Sequence, residues 1–466
     1  MQKMNNSVLD DSRVGQLMLK LALPAFFGIM VMTLYNVVDT IFIGHYVGPL
    51  GIAGLSIVFP LQMLSFGIGQ MTGMGGASSI SRLIGAGNRD RAEHVLGNAI
   101  FSVVLLTVII TIAGFINTDF WLGIMGASPT ILPYARDYFT IILIGIIIHT
   151  FGFTLNMMIV SEGNARVGMM GMIIGAVANI ILDAIFIIPL DMGIKGAALA
   201  TVLAQVISTA YLLRYYLSGR SYLKIFVRNL YPDPGILKAI FSIGIAAFAT
   251  SLTGSLSAVL VNRALLAYGG DAAISAFGVI NRIMMFAIMP GIVIGQGLQP
   301  VLGYNYGARR FDRALRAIKL GLMWATAWSV IVFIVLYFFP QIFILIFTGD
   351  AELISNSTHF ARYVFLALYV VGASICGSIV FQAIGKPVQS FITSISRSFL
   401  FLIPLVLIMP RFWGVEGILL AFPLADGLAF ILTMSLIIPL LQWFRSEKKR
   451  TEIRSAEQLP GDATCD

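Results

Sequence analysis

Apolar residues run through this chain in blocks of about twenty, separated by short breaks carrying Gly, Pro, Asn and Arg. Twelve such blocks stand out, at 21–44, 50–76, 95–117, 138–160, 167–188, 196–213, 239–267, 272–298, 317–339, 363–384, 391–409 and 417–440. About 20 apolar residues wound as an α-helix cover the ~30 Å hydrocarbon layer of a bilayer. The pattern therefore predicts an all-α membrane protein with twelve transmembrane helices. An even number of spans leaves both termini on one side of the membrane.

Composition agrees: 58% of the 466 residues are hydrophobic, 11% are charged, and the mean hydropathy is +0.90. The basic residues decide orientation. Most of the 30 Lys and Arg fall in segments that share a side with the termini, and the positive-inside rule places that side in the cytoplasm. The net charge of +8 is thus a topology signal, concentrated in stretches such as "GARRFDRALRAIK" and "RSEKKR", and implies no nucleic acid. The opening "MQKMNNSVLDDSRVGQLMLK" is too polar for a cleavable signal peptide, so the first span is expected to stay in the mature protein. Two cysteines, Cys376 in a span and Cys465 in the tail, make no disulfide framework. No Walker sequence, nucleophile elbow or H-E-x-x-H is present, which predicts neither a nucleotide-driven pump nor an enzyme. The four histidines show no metal-ligand spacing, and no cofactor or metal is expected.

The chain repeats itself. Residues 21–92 align without a gap on 243–314, with 16 identities in 72 positions. Gly69, Gly73 and Gly75 fall on Gly291, Gly295 and Gly297, and "GAGNRDRA" falls on "GARRFDRA". Later the offset becomes 221, where "MGIKGAALA" falls on "WGVEGILLA". Two parallel six-helix bundles related by a pseudo-two-fold axis along the membrane normal follow: an N-lobe at 1–217, a linker at 218–235, a C-lobe at 236–445 and a polar tail at 446–466. Paired lobes that rock around a midplane site are a common plan of secondary transporters.

Only three acidic residues lie well inside spans: Asp39, Asp183 and Asp426. Asp39 and Asp183 sit five and six residues below the outer ends of their spans, roughly 8 to 9 Å deep at 1.5 Å per residue. No Lys or Arg shares their depth in the N-lobe. A carboxylate in hydrocarbon needs a proton, a cation or polar neighbours. Such neighbours occur at helical spacing, with Tyr35 and Asn36 before Asp39 and Asn179 before Asp183. Asn156, Thr201 and Gln205 supply more. The second half carries Val261 and Pro404 at the matching places, so the bundle itself does not demand acids there. Side by side, the two carboxyls would titrate as one coupled unit, and Asp39 and Asp183 are the candidate ion-coupling pair. A polar cluster that only fixes helix register is the alternative. Asp426 and Arg282 have similar depths in the C-lobe and are expected to form a structural ion pair, with a proton relay as the alternative. The 21 Met and 33 Phe provide material for an adaptable lining of a cavity that takes organic cations.

The stretches "LALPAFFGIMVMTLYNVVDTIFIG", "GAGNRDRAEHVLGNAI" and "EGNARVGMMGMIIGAVANIILDAIFIIPLDMGIKGAALAT" resemble the multidrug and toxic compound extrusion (MATE) family. The resemblance covers nearly the whole chain. It implies a V-shaped, two-lobe inner-membrane antiporter that exports organic cations or drugs in exchange for H⁺ or Na⁺; beyond the cargo and the bilayer no partner is expected, and the chain is expected to act as a monomer. The family's N-lobe cation site then falls on Asp39 and Asp183, with Tyr35, Asn156, Asn179 and Thr201 around them, and Pro24 matches a proline where the first helix can bend. Acidic residues that one branch of the family keeps in the seventh and tenth spans are absent here. A lipid-linked oligosaccharide flippase of the same superfamily is the second reading; it would favour a basic cavity, whereas Arg263, Arg282 and Arg397 are the basic groups in the spans. A passive channel would be told apart by assaying efflux with and without a gradient.

Overall fold

A computed structural model describes residues 8–10 and 13–457, so the last part of the expected tail lies outside the described residues. The described chain is helical, without a strand. In order come α1 (Val14–Phe42), α2 (Pro49–Gly85), α3 (Arg89–Ile116), α4 (Thr118–Ile124), α5 (Leu132–Ser161), α6 (Ala165–Ile187), α7 (Gly193–Leu217) and α8 (Pro234–Gly307). They are followed by α9 (Phe311–Phe338), α10 (Pro340–Ile344), α11 (Ala351–Val364), α12 (Leu368–Ile384), α13 (Pro387–Ile395), α14 (Ile403–Ile408) and α15 (Pro410–Glu457). At 74 residues, α8 is too long to be one span. Non-helical Gly270 divides it into the seventh and eighth spans. The tenth span is α11 and α12 together, bent by 55°, and α13, a π-helical stretch at Ser396–Leu402 and α14 make the eleventh. Counted this way, twelve spans cross, as the hydropathy pattern predicts. The tail's first turns simply continue α15.

The repeat reappears in the backbone. Positive-φ glycines come in matched pairs at the breaks between helices: Gly48 with Gly270, Gly163 with Gly385, and Gly193 with Gly414. At the fourth such break Gly87 is matched by Arg309, one of two described non-glycine residues at positive φ, a conformation that costs a side chain about 1 kcal/mol or more.

The glycines inside the spans are where the lobes touch. A Cβ on Gly75 would lie 2.1 Å from the Ile240 carbonyl oxygen, and one on Gly297 would lie 2.7 Å from that of Met18. These are the same contact seen twice, since Ile240 and Met18 are themselves matched by the repeat. Likewise Gly85 meets the backbone of Tyr304 and Gly307 that of Arg82. Ser78 donates to the Gln382 carbonyl, and the Arg82 guanidinium, anchored by Nε to the Ser78 carbonyl at 3.0 Å, lies against Gly385 at the end of α12. A cation there faces the negative end of a helix. These close approaches fall in the halves of the spans nearest the termini. Toward the far side Gly254 and Gly278, in the seventh and eighth spans, have no neighbour within 4 Å of a built Cβ. The lobes meet at the terminus-bearing side and part toward the other.

Helix α1 serves both lobes. Near its start Gly15 packs on Leu320 and Trp324 of α9, whereas Gly28 packs on Met169 and Met172 of α6. Pro24 lies between these contacts, inside a helix that runs unbroken through it. Its missing N–H leaves the Lys20 carbonyl without the usual helical donor. That weak point sits where α1 passes from one lobe to the other. The linker is bound to the N-lobe by buried polar side chains. Asn98 accepts from the Asp233 N–H at 2.8 Å and donates to the Asn229 and Tyr231 carbonyls, each at 3.2 Å. Glu162 accepts from the Ser221 hydroxyl at 2.6 Å and the Tyr222 N–H at 3.0 Å.

Candidate functional site

Asp39 and Asp183 are both buried, with 7% and 0% exposure, and their carboxyl groups lie close enough to interact directly. Helices α1 and α6 bring them together. Gly28 lets the two helices close on Met172, and Asp39 follows Gly28 by about three turns on the same face. Just beyond Asp39 the chain winds into π-helical turns at Ile43–Val47, whose first N–H bonds the Asp39 carbonyl. Among the described residues, Asp39 Oδ1 and both Asp183 carboxyl oxygens receive no hydrogen bond, and neither residue has an ion pair.

One turn toward the terminal side of the pair lies a cavity of about 90 Å³ inside the N-lobe, walled by α1, α5, α6 and α7. Tyr35, Asn156, Asn179, Thr201 and Gln205 all line it. Asn179 Nδ2 donates to Thr201 Oγ1 at 3.4 Å, and Asn156 Nδ2 to the Gly168 carbonyl at 2.8 Å. The structure thus brings Tyr35, Asn156, Asn179 and Thr201 to one place, with Gln205 beside them. Asn36 is the exception: it does not line the cavity, and its exposed amide donates to the Met32 carbonyl at 2.8 Å. Tyr35 and Asn36, adjacent in sequence, are turned about 100° apart on a helix, so only one can face α6. Two residues escaped sequence reasoning. Tyr138 of α5 is buried close enough to both acids to feel their charge, and His149 lines the cavity. A lone Tyr or His in an apolar span carries no spacing signal.

The expected ion pair between Asp426 and Arg282 does not form. Asp426 is bound by Arg397, through Nε to Oδ1 and through Nη2 to Oδ2 at 3.5 Å. Arg282 is exposed, on a face of its helix that about three turns later packs against α1 at Val293. Depth along the membrane put both arginines within range; rotation about the helix axis separates them. The Asp426→Asn variant is expected to lose about 2–3 kcal/mol, since removing one partner strands a largely covered charge. A lower melting temperature with unchanged transport per folded molecule would bear this out.

Two bundles with a cleft between them and an unpaired acid pair in only one bundle define a transporter-type membrane protein with an asymmetric polar site. The family profile MatE matches residues 24–185 and 246–408, one segment in each lobe. This chain belongs to the MATE family of transporters. It is 25% identical over 452 residues to the multidrug export protein MepA of Staphylococcus saprophyticus, an alignment covering 97% of this chain and 98% of that protein. Among solved structures, a ligand complex of the MATE multidrug transporter DinF-BH superposes with a TM-score of 0.86 at 40% identity, covering 94% of this chain and 98% of that one. An outward-facing conformation of a multidrug resistance MATE family transporter superposes with a TM-score of 0.88 at 25% identity, covering 96% and 100%.

Proposed function

We propose that this protein exports organic cations in exchange for protons, by rocking two lobes around a central cleft, with Asp39 and Asp183 as the coupling pair. The observation that carries the reading is the pair itself: two apposed buried carboxyls that lack donors and counter-ions among the described residues. Two negative charges cannot stay together in so poorly solvated a place, so the pair must hold a proton or a cation. A cationic substrate and a proton then compete for one site, and that competition is the coupling. The matching C-lobe positions, Val261 and Pro404, make the site a property of one lobe. Placing the termini in the cytoplasm by the distribution of Lys and Arg makes the far side external, and the lobes' contact at the terminal side is what an outward-facing state needs. A cation leaves outward as a proton takes its place, and α1, shared by both lobes, passes the change to the inter-lobe contact.

The relatives' role in multidrug export favours organic cations as cargo. A flippase carrying a pyrophosphate is less well served, because Arg397 is engaged by Asp426 and among the described residues the cleft face offers Arg282 without a basic cluster. The vesicle experiment that tests the proposal imposes ΔpH at constant Na⁺, then a Na⁺ gradient at constant pH. Efflux of a fluorescent organic cation driven by ΔpH alone supports it; efflux driven by Na⁺ alone transfers the same oxygens to a sodium site.

A further inference from the structure

The cavity beside the acid pair runs along the N-lobe from Tyr35 and Thr201 to Leu212, with the acids beyond one end and Glu162 beyond the other. On α7 its wall is polar at every turn, through Thr201, Gln205, Ser208 and Thr209, and on α5 it passes His149 and then Asn156. At the repeat-matched places of α7 the C-lobe carries Phe422, Asp426, Ala429 and Phe430, of which only Asp426 is ionisable and that one is held by Arg397. The polar wall is therefore no more demanded by the bundle than the acids are. The cavity ends at Leu212, one turn before Tyr215 and Tyr216, and these two side chains stand beside Glu162.

Glu162 is buried at the terminal-side end of α5, its Oε1 without a hydrogen bond among the described residues. Burial pushes its carboxyl up to about 7, against the bonds from Ser221 and Tyr222 that favour the charged form. Tyr215 and Tyr216 of α7 are the titratable groups facing it, and no ion pair is formed at Glu162 among the described residues.

We infer that the coupling proton leaves the acid pair through the N-lobe, by way of water in this cavity, His149 and Glu162, while the cation uses the cleft. The inference rests on the proton-exchange reading above and adds the route. A carboxylic acid of the pair gives its proton to cavity water, and water protonates a ring nitrogen of His149. The other ring nitrogen returns a proton to water on the Asn156 side, and Glu162 takes it up and releases it at the terminal face. Each step breaks one O–H or N–H bond and makes another, and no other reactant is needed. Separate exits would keep the outgoing cation and incoming proton from blocking each other. Of the titratable groups around His149, Tyr35 of α1 shares the cavity, and α6 and α7 contribute no charged side chain to its wall.

The test uses the full chain in proteoliposomes with a pH dye inside and a fluorescent organic cation as cargo. His149→Phe, which removes the relay and fills water space, is expected to slow cation-driven proton movement roughly tenfold or more, while cation affinity at fixed pH stays within about twofold. Glu162→Gln keeps an acceptor for Ser221 and Tyr222. In the wild type the rate should climb as the terminal-side pH rises through about 7, where Glu162 gives up its proton; in Glu162→Gln that dependence should flatten. Wild-type proton movement in His149→Phe, or an unchanged pH profile in Glu162→Gln, overturns the route and leaves the function standing. A wild-type protein that moves the cation without protons overturns the function and the route together.

Discussion

The Asp183→Asn variant is expected to bind organic cations weakly and to lose gradient-driven accumulation altogether. Asn keeps the size and hydrogen-bonding capacity of the carboxyl, so folding should be preserved, while the group that exchanges a proton for a cation is gone. In the wild type one pH unit supplies about 1.4 kcal/mol for each proton exchanged, enough to hold a roughly tenfold cation ratio across the membrane. In Asp183→Asn that ratio should fall to unity at any imposed ΔpH, with the same loss in Asp39→Asn. Fluorescence of the cation trapped in vesicles, normalised to folded transporter, measures the effect. Retention of half the wild-type ratio by either variant would assign the coupling elsewhere. Asp39 Oδ1 and both Asp183 oxygens receive no hydrogen bond among the described residues, so neutralising one acid relieves a charge without stranding a donor on another side chain; a drop in melting temperature as large as that of Asp426→Asn would instead mark a structural pair.

An alanine placed at Gly244 should cost more transport than the same substitution anywhere else along that span. Its Cβ would lie 1.9 Å from the Met71 carbonyl oxygen, backbone against backbone across the lobe interface, with no flexible side chain to give way. Gly254, on the same helix, has nothing within 4 Å, and alanine there should leave transport unchanged and add up to about 1 kcal/mol of helix propensity. Spin labels on the terminal-side ends of α2 and α8 would report the cause: a longer inter-lobe distance in Gly244→Ala and the wild-type distance in Gly254→Ala. Equal behaviour of the two variants would show that this glycine contact does not set the closed terminal side.

How much of this could be read in advance depends on which physical signal each feature leaves in the chain. The spans announce themselves because hydrocarbon tolerates no unpaired backbone and few polar side chains. The two lobes announce themselves because the inter-lobe contact needs glycine at matched places, and Gly75 and Gly297 survive as an alignment. Asp39 and Asp183 were visible for the same reason, as charges where charge is costly. Rotation around a helix axis was not visible. Depth alone paired Asp426 with Arg282, yet Arg397 holds it and Arg282 faces away; helical spacing placed both Tyr35 and Asn36 near the face of Asp39, and only Tyr35 reaches the cavity. The bent tenth span hid because α11, in "AELISNSTHFARYV", is too polar to read as part of a crossing. His149 and Glu162 carry no pattern of their own, and their meaning comes only from the cavity and the buried tyrosines around them.

The direct measurement is proton release on substrate binding. Purified protein in weakly buffered detergent, titrated with a permanently charged organic cation, should release about one proton per cation bound, and Asp183→Asn should release none. Cation binding to the wild type without proton release, or equal release from Asp183→Asn, would contradict the claim that proton and cargo compete for Asp39 and Asp183.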